Sequence, residues 1–154
     1  MRSALLIILL LLAGCARIQN ITKAECLPTS FPSEEVLKRQ AYLYKFEDET
    51  EISLWNHPYR YGSGVDASGQ MQMHAPPPLK KLPIGTQLTI TKITRESHFD
   101  GSPNSIYARG IAHIDQEQLH FLYVWGIRNR IQYAPWEKDT YNSSDFSRVI
   151  ECEI

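Results

Sequence analysis

Residues 87–94, Gln-Leu-Thr-Ile-Thr-Lys-Ile-Thr, alternate polar with apolar side chains. Successive side chains of a β-strand point to opposite faces, so this period of two is typical of a strand with one buried face. The alternation places Leu88 and Ile90 inward, and it brings Ile93 inward across a bulge or at the strand end. The segment therefore predicts a strand and favours a mainly β fold.

Two longer apolar runs follow this strand and extend the β pattern. Residues 105–114 and 118–125 are rich in aromatic and β-branched side chains, and residues 115–117, Asp-Gln-Glu, separate them. This arrangement predicts a hairpin, and the apolar character of both faces predicts strands that are covered on both sides. Upstream, residues 41–46 and 51–55 flank an acidic turn and predict another hairpin.

The segments around these strands predict one short helix and one long loop. Ser33 followed by Glu34 and Glu35 is typical of a helix start, because Ser is a good N-cap and acidic side chains suit the first turn. Residues 62–78 contain three glycines and end in three prolines, so they predict an irregular loop.

Residues 79–90, Leu-Lys-Lys-Leu-Pro-Ile-Gly-Thr-Gln-Leu-Thr-Ile, resemble the diverging turn and following strand of bacterial SH3-like domains. Members of this family commonly have Leu-Pro-x-Gly-Thr-x-Leu-x-Ile at this point, and the resemblance extends over residues 79–125. It implies a small SH3-like barrel or sandwich, here with a short N-terminal helix. The chain has no recognisable ligand-groove motif of that family, so the resemblance assigns no binding residue.

The N-terminus resembles the signal peptide of a bacterial lipoprotein. Arg2 precedes an apolar run from Ala4 to Ala13, which is too short to cross a bilayer as a helix. The sequence Leu12-Ala13-Gly14-Cys15 then resembles the lipobox of that family. The resemblance implies cleavage before Cys15 and lipidation of its sulfur, so that the protein would label with palmitate. An uncleaved anchor or a secretory signal without lipid is the alternative.

Residue 16 bears on the membrane to which the lipid would attach. Asp after the lipidated cysteine is the family's usual inner-membrane retention signal, whereas this chain has Ala16. The resemblance therefore implies an outer-membrane lipoprotein that faces the periplasm. We expect a signal peptide at residues 1–14, a lipidated tether at residues 15–33 and a single mainly β domain at residues 34–154.

The chain has three cysteines. With Cys15 assigned to the lipid, Cys26 and Cys152 remain, and an oxidising compartment favours a disulfide between them. Two free thiols are the alternative, because pairing requires Cα atoms within about 7 Å of each other. The formal net charge of −1 argues against non-specific binding to nucleic acid or to anionic lipid headgroups.

The sequence lacks the patterns of common catalytic and metal sites. None of the five histidines has a second ligand at a short spacing, although His113 and His120 flank the predicted hairpin turn and a cross-strand zinc pair is an alternative. No serine lies in a Gly-x-Ser-x-Gly elbow, and the acidic residues 47–51 are typical of a solvated turn. We therefore predict a protein that is not an enzyme and that has no metal or small-molecule cofactor.

Aromatic and Arg side chains, which are enriched in interface hot spots, occur in two predicted loops, residues 58–64 and 128–136. We predict that these loops bind a partner through Tyr59, Arg60, Tyr61, Arg128, Arg130, Tyr133 and Trp136. The alternative is that most of these aromatic side chains pack in the core. The sequence thus favours a lipid-anchored binding protein that engages an envelope protein or peptidoglycan. An immunity lipoprotein that neutralises a periplasmic toxic effector is the alternative, and an envelope hydrolase has less support.

Overall fold

The computed structural model of the chain describes residues 17–47, 49–57, 62–65, 71–73, 77–97, 102–140 and 148–150. The regular structure of these ranges is all β. In chain order the strands are β1 Arg17–Asn20, β2 Ser33–Val36, β3 Ala41–Tyr44, β4 Ser53–Trp55, β5 Gly62–Val65, β6 Met71–Met73, β7 Lys80–Leu82, β8 Gln87–Ser97, β9 Ser105–Ile114, β10 Glu117–Ile127, β11 Arg130–Ile131 and β12 Arg148–Val149. The mainly β fold class is therefore confirmed. The described residues include no helix of the length and apolar character that a membrane crossing needs.

Strand β8 forms as its sequence pattern predicts. Leu88, Ile90 and Ile93 are fully buried, and the pairing of β8 with β9 changes register between Ile90 and Lys92. This bulge lets Ile93 face the core although it lies an odd number of residues after Ile90. The expected inward position of Ile93 across a bulge is confirmed.

Strands β9 and β10 form the predicted hairpin. They pair antiparallel through the two-residue turn Asp115-Gln116, in which Asp115 has a φ of 54°. Asp tolerates this left-handed backbone better than most residues. In β9, buried residues alternate with half-buried ones. One face packs on the core, and the other face is covered in part, since Thr94 of β8 is fully buried there beside Arg109 whereas Val124 of β10 is exposed. The expected cover on both faces is therefore incomplete on the outer face.

The main sheet has the strand order β1-β8-β9-β10-β4-β3-β7. Strand β2 also pairs with β8, and β11 pairs with both β10 and β12. The β3–β4 pair confirms the hairpin predicted from residues 41–55. Strand β4 runs parallel to β10 while the other pairs are antiparallel, which makes the sheet mixed. Among the described strands β7 pairs only with β3, so the sheet is open.

The predicted helix at Ser33 is wrong, because this segment is strand β2. It pairs antiparallel with the first half of β8, where Glu34 lies opposite Thr89. The Thr89 hydroxyl donates a hydrogen bond to the Glu34 carboxylate at 2.9 Å. An isolated helix of so few residues is marginal in water, whereas the edge of β8 offers backbone hydrogen bonds to an extended chain.

Residues 17–33 belong to the folded domain, which corrects the expected tether at residues 15–33. Strand β1 pairs with the second half of β8, and Ile21, Leu27 and Phe31 are buried in the core. The Phe31 ring meets the Trp125 ring edge-on, with 5.6 Å between centroids. These isolated apolar residues have no strand or helix period, so their burial depends on the space that distant strands provide.

Residues 62–78 are not entirely irregular, which corrects the predicted long loop. Strands β5 and β6 form a two-stranded antiparallel sheet of their own, with Gly62 opposite Met73 and Val65 opposite Met71. Glycine weakens the sequence signal for a strand, so pairing within this segment is not visible from its composition.

Candidate functional site

A pocket opens where β4 ends beside β10. Strand β4 has three residues, with Ser53 opposite Leu122, whereas β10 has eleven residues and continues to Ile127. The unequal lengths leave a cavity of about 210 Å³, which we call the β4–β10 pocket. Its lining consists of Leu54, Trp55, Asn56, His57, Tyr123, Val124 and Gln132.

Hydrogen bonds hold two side-chain amides in the β4–β10 pocket. The Asn56 Nδ2 donates to the Tyr123 hydroxyl at 2.9 Å, and that hydroxyl lies 3.2 Å from the Asn56 Oδ1. The Gln132 Nε2 donates to the Val124 carbonyl at 2.8 Å. Because Tyr123 is buried, its hydroxyl needs a partner inside the protein. Both amides therefore have defined positions beside the cavity.

The aromatic side of the pocket is formed by Trp55 and His57, whose rings meet edge-on with 6.0 Å between centroids. Leu54 lies at its buried side, and Val124 is exposed beside it. The cavity is smaller than a typical small-molecule site, which measures roughly 300–1,000 Å³. Its size and mostly apolar lining suit one inserted apolar or aromatic side chain.

The predicted binding residues have different positions in the structure. Tyr59, Arg60 and Tyr61 lie outside the described residues. Arg128, in the turn after β10, and Arg130, on β11, are exposed as an interface role requires.

Tyr133 has contacts with other parts of its own chain. The Arg148 guanidinium lies 4.2 Å from the Tyr133 ring centroid, and the Lys138 ammonium group lies 5.2 Å from it. The Tyr133 carbonyl accepts a hydrogen bond from the Arg39 Nη2 at 2.7 Å. The ring is half-buried, and these contacts stabilise the segment after β11. The structure therefore gives Tyr133 a packing role beside the predicted binding role.

Trp136 is a core residue, which corrects its assignment to a binding surface. Only 1% of its surface is exposed. Its ring centroid lies 5.1 Å from that of Tyr123 and 6.4 Å from that of Phe121. A loop position gave no packing reason for a large aromatic side chain, but the buried face of β10 supplies one. The alternative that aromatic side chains of these loops pack in the core holds for Trp136.

Glu137 fixes the turn that carries Trp136, a role that its sequence position did not indicate. Its Oε2 accepts hydrogen bonds from the Ala134 N–H at 2.7 Å, the Trp125 Nε1 at 3.2 Å and the Arg148 Nη2 at 2.7 Å. One carboxylate thus joins β10, the turn and β12. This network places Gln132 beside the β4–β10 pocket.

A second charge cluster on the outer face of the sheet surrounds Arg109. Its guanidinium contacts the carboxylates of Glu51 at 2.9 Å and Glu96 at 3.0 Å. Burial by itself lowers the pKa of Arg109, but the hydrogen bonds and charges of Glu51 and Glu96 outweigh burial and raise the pKa. The group therefore stays positively charged. The acidic cluster that contains Glu51 predicts a solvated turn, and this pairing with Arg109 is not visible from the sequence.

His113 and His120 do not lie opposite each other in the β9–β10 pair. His113 pairs with Gln118, and His120 pairs with Ile111. The His113 Nε2 lies within hydrogen-bond distance of the Thr89 hydroxyl, at 2.8 Å. In the described part of the chain, no three His, Cys, Asp or Glu side chains form a group that could hold a metal ion.

Of the three cysteines, Cys26 lies within the described residues. Cys26 is half-buried against the core and disulfide-bonded. Cys15 and Cys152 lie outside the described residues, so the pairing of Cys26 with Cys152 stays a prediction.

Comparisons of the chain with protein-family models, with curated proteins and with solved structures find no match.

Proposed function

We propose that this protein is a lipid-anchored binding protein of the bacterial cell envelope and that the β4–β10 pocket receives a side chain of its partner. The observation that carries the proposal is that the pocket is lined by residues from or next to the two segments predicted to bind. Asn56 and His57 directly precede residues 58–64 in the sequence, and Gln132 lies within residues 128–136. A partner that fills the pocket would also contact the chain beside Gln132.

The chemistry of the pocket favours a protein partner over peptidoglycan. Its walls are mostly apolar, and the side-chain amides of Asn56 and Gln132 already donate hydrogen bonds within the protein. Interface hot spots are commonly large side chains in well-packed, desolvated pockets, whereas the hydroxyl groups of a sugar need hydrogen-bond partners when they are buried. We therefore propose that an envelope protein inserts an apolar or aromatic side chain between Trp55 and Gln132.

The anchor and location follow from the resemblance of residues 1–16 to a lipoprotein signal peptide. We propose that Cys15 carries the lipid and that the protein faces the periplasm from the outer membrane. We also propose that β7 to β10 correspond to the SH3-like segment of residues 79–125. A tight turn followed by an antiparallel meander supports this assignment.

Site-specific photocrosslinking in intact cells tests the proposal. A photoreactive amino acid at Val124, beside the pocket, should give a discrete crosslinked product with an envelope protein. The matched control is the same amino acid at Val36, which is also an exposed valine but lies on β2. Equal labelling from both positions, or none from Val124, would contradict the proposal. A crosslink to glycan strands alone would replace the protein partner with peptidoglycan.

A further inference from the structure

One row of residues crosses six strands at one end of the main sheet. In the strand pairings, each residue of the row lies opposite the next one. The row runs in the order Ile18, Glu96, Ser105, Ile127, Arg130 and Val149. Residues that lie opposite each other on neighbouring strands project from the same face of a sheet. At a strand spacing of about 4.8 Å, the row is about 24 Å long. We call it the end row.

The end row lies on the outer face of the sheet. The adjacent row contains Ile106 and Ile131, which are both buried in the core. In contrast, Ile18 is 62% exposed, Ile127 is 43% exposed and Val149 is 52% exposed. Three of the large apolar side chains that are exposed in the described part of the chain therefore lie in the end row.

Arginine side chains accompany these apolar residues. Arg130 is a member of the end row, and Arg128 follows Ile127 in the turn after β10. Arg17, next to Ile18 on β1, projects from the other face at the same end of the sheet, and all three arginines are exposed. The carboxylate in the row, Glu96, lies 3.0 Å from the Arg109 guanidinium and is largely buried. The described part of this end is therefore basic, although the chain as a whole has a formal net charge of −1.

The end row lies close to the proposed site of lipid attachment. Strand β1 begins at Arg17, only two residues after Cys15. Two residues of extended chain span at most about 7 Å. A lipid on Cys15 would therefore hold this end of the sheet at the membrane surface, with no length of chain to separate them.

We propose that the end row, with Arg17 and Arg128, docks the domain on an anionic phospholipid surface. The exposed Ile and Val side chains would enter the interfacial layer, and the three arginines would bind lipid phosphates, so that Arg128 and Arg130 contact lipid and not the protein partner. This inference rests on the proposed lipidation of Cys15, and it adds a defined orientation to the anchor. Ile84 precedes β8, which begins at Gln87, and therefore lies beyond the end of that strand opposite to Glu96, about 30 Å along the strand from the end row.

The test uses the mature protein, purified from the membrane fraction and reconstituted into vesicles of phosphatidylcholine with or without phosphatidylglycerol. An environment-sensitive fluorescent amino acid replaces Ile127 in one variant and Ile84, which is also an exposed isoleucine, in the matched control. We expect lipid-borne quenchers to quench the label at position 127 in anionic vesicles and to leave the label at position 84 unquenched. Combined Arg17→Gln, Arg128→Gln and Arg130→Gln substitutions should reduce the docking equilibrium constant by about 100-fold, since each arginine near an anionic surface contributes about a factor of five.

The outcomes separate the anchor from the docking surface. If the protein does not sediment with vesicles of either composition, lipid anchoring is wrong and the docking inference fails with it. If the protein sediments but the two labels are quenched equally, the anchor stands and the docking surface is refuted. Equal quenching of position 127 in vesicles with and without phosphatidylglycerol would refute the role of the arginines. A Lys81→Gln variant at the opposite end serves as the control for a general loss of charge.

Discussion

Arg109 on β9 and Glu51 before β4 form a two-point ion pair across the outer face of the sheet. The Arg109 Nε lies 2.9 Å from one Glu51 carboxylate oxygen, and the Nη2 lies 3.0 Å from the other. The Nη1 also donates a hydrogen bond to the Thr94 hydroxyl. A planar guanidinium matched to a carboxylate in this way has more geometric specificity than an ordinary surface pair. The pair joins the β3–β4 hairpin to the central strands.

Replacement of this arginine should therefore destabilise the domain. We expect Arg109→Met to lower the free energy of unfolding by about 1–2 kcal/mol, because it leaves two carboxylates close together without their cation, although solvent screens the half-exposed Glu51. Thermal denaturation measures this change. Lys80→Met is the control, since the Lys80–Glu117 pair is 3.5 Å long and exposed. Equal losses from both variants would contradict the structural role of Arg109.

Trp136→Ala should destabilise the domain much more than a substitution at an exposed loop residue. Removal of a buried Trp leaves a large cavity and costs about 3–5 kcal/mol, which corresponds to a fall in Tm of roughly 10 °C or more. The control is Arg130→Ala, which should change the free energy of unfolding by less than about 0.5 kcal/mol. Circular dichroism during heating distinguishes them. A Tm of Trp136→Ala equal to that of the unmodified protein would show that this side chain is not in the core.

Val124→Arg should block the β4–β10 pocket without unfolding the protein. The arginine would project beside the cavity, and loss of a central anchor site should weaken partner capture by about 2 kcal/mol, roughly thirtyfold in affinity. Val36→Arg introduces the same charge at another exposed valine and should leave capture unchanged. Quantitative crosslinking in cells gives the measurement. Equal capture by the two variants would place the partner elsewhere.

Cys26 and Cys152 should form one disulfide in the mature protein. Ile21 and Ile150 border the same small crevice, which brings the segment before Cys26 close to the segment before Cys152. Mass spectrometry without reduction should detect one crosslinked peptide pair. Joint replacement of Cys26 and Cys152 by Ser should lower stability by up to about 4–5 kcal/mol, because the closed loop exceeds a hundred residues. A bond from Cys26 to Cys15 would exclude both this pairing and the lipid anchor.

Cys15→Ser should abolish metabolic labelling with palmitate and association with the membrane fraction. The thiol is the acceptor that the lipobox provides, and Ser cannot replace it in that chemistry. Cys26→Ser is the control and should still label. Retention of palmitate by the Cys15→Ser variant would show that the lipoprotein assignment is wrong.

Local periodicity was sufficient to predict the central meander of the sheet. The alternation in residues 87–94 predicted β8 with its inward Leu88 and Ile90, and the apolar runs around Asp115-Gln116 predicted the β9–β10 hairpin. Such patterns are visible in the sequence because every second residue of a strand shares a face, and the turn residues lie beside the strands that they join. For the candidate site, the aromatic and Arg content of residues 128–136 indicated a segment that contains Gln132, although Gln132 itself was not among the predicted binding residues.

Only the tertiary structure determined which residues face each other across strands that are distant in the sequence. Ser33–Val36 became a strand because the edge of β8 was available, although its local pattern favours a helix. Trp136 became a core residue because β10 placed Phe121 and Tyr123 against it. The β4–β10 pocket and the end row likewise depend on strand pairs that are far apart in the chain. The contacts that form the pocket and the end row arise only when the sheet assembles, so no local pattern could encode the positions of these two features.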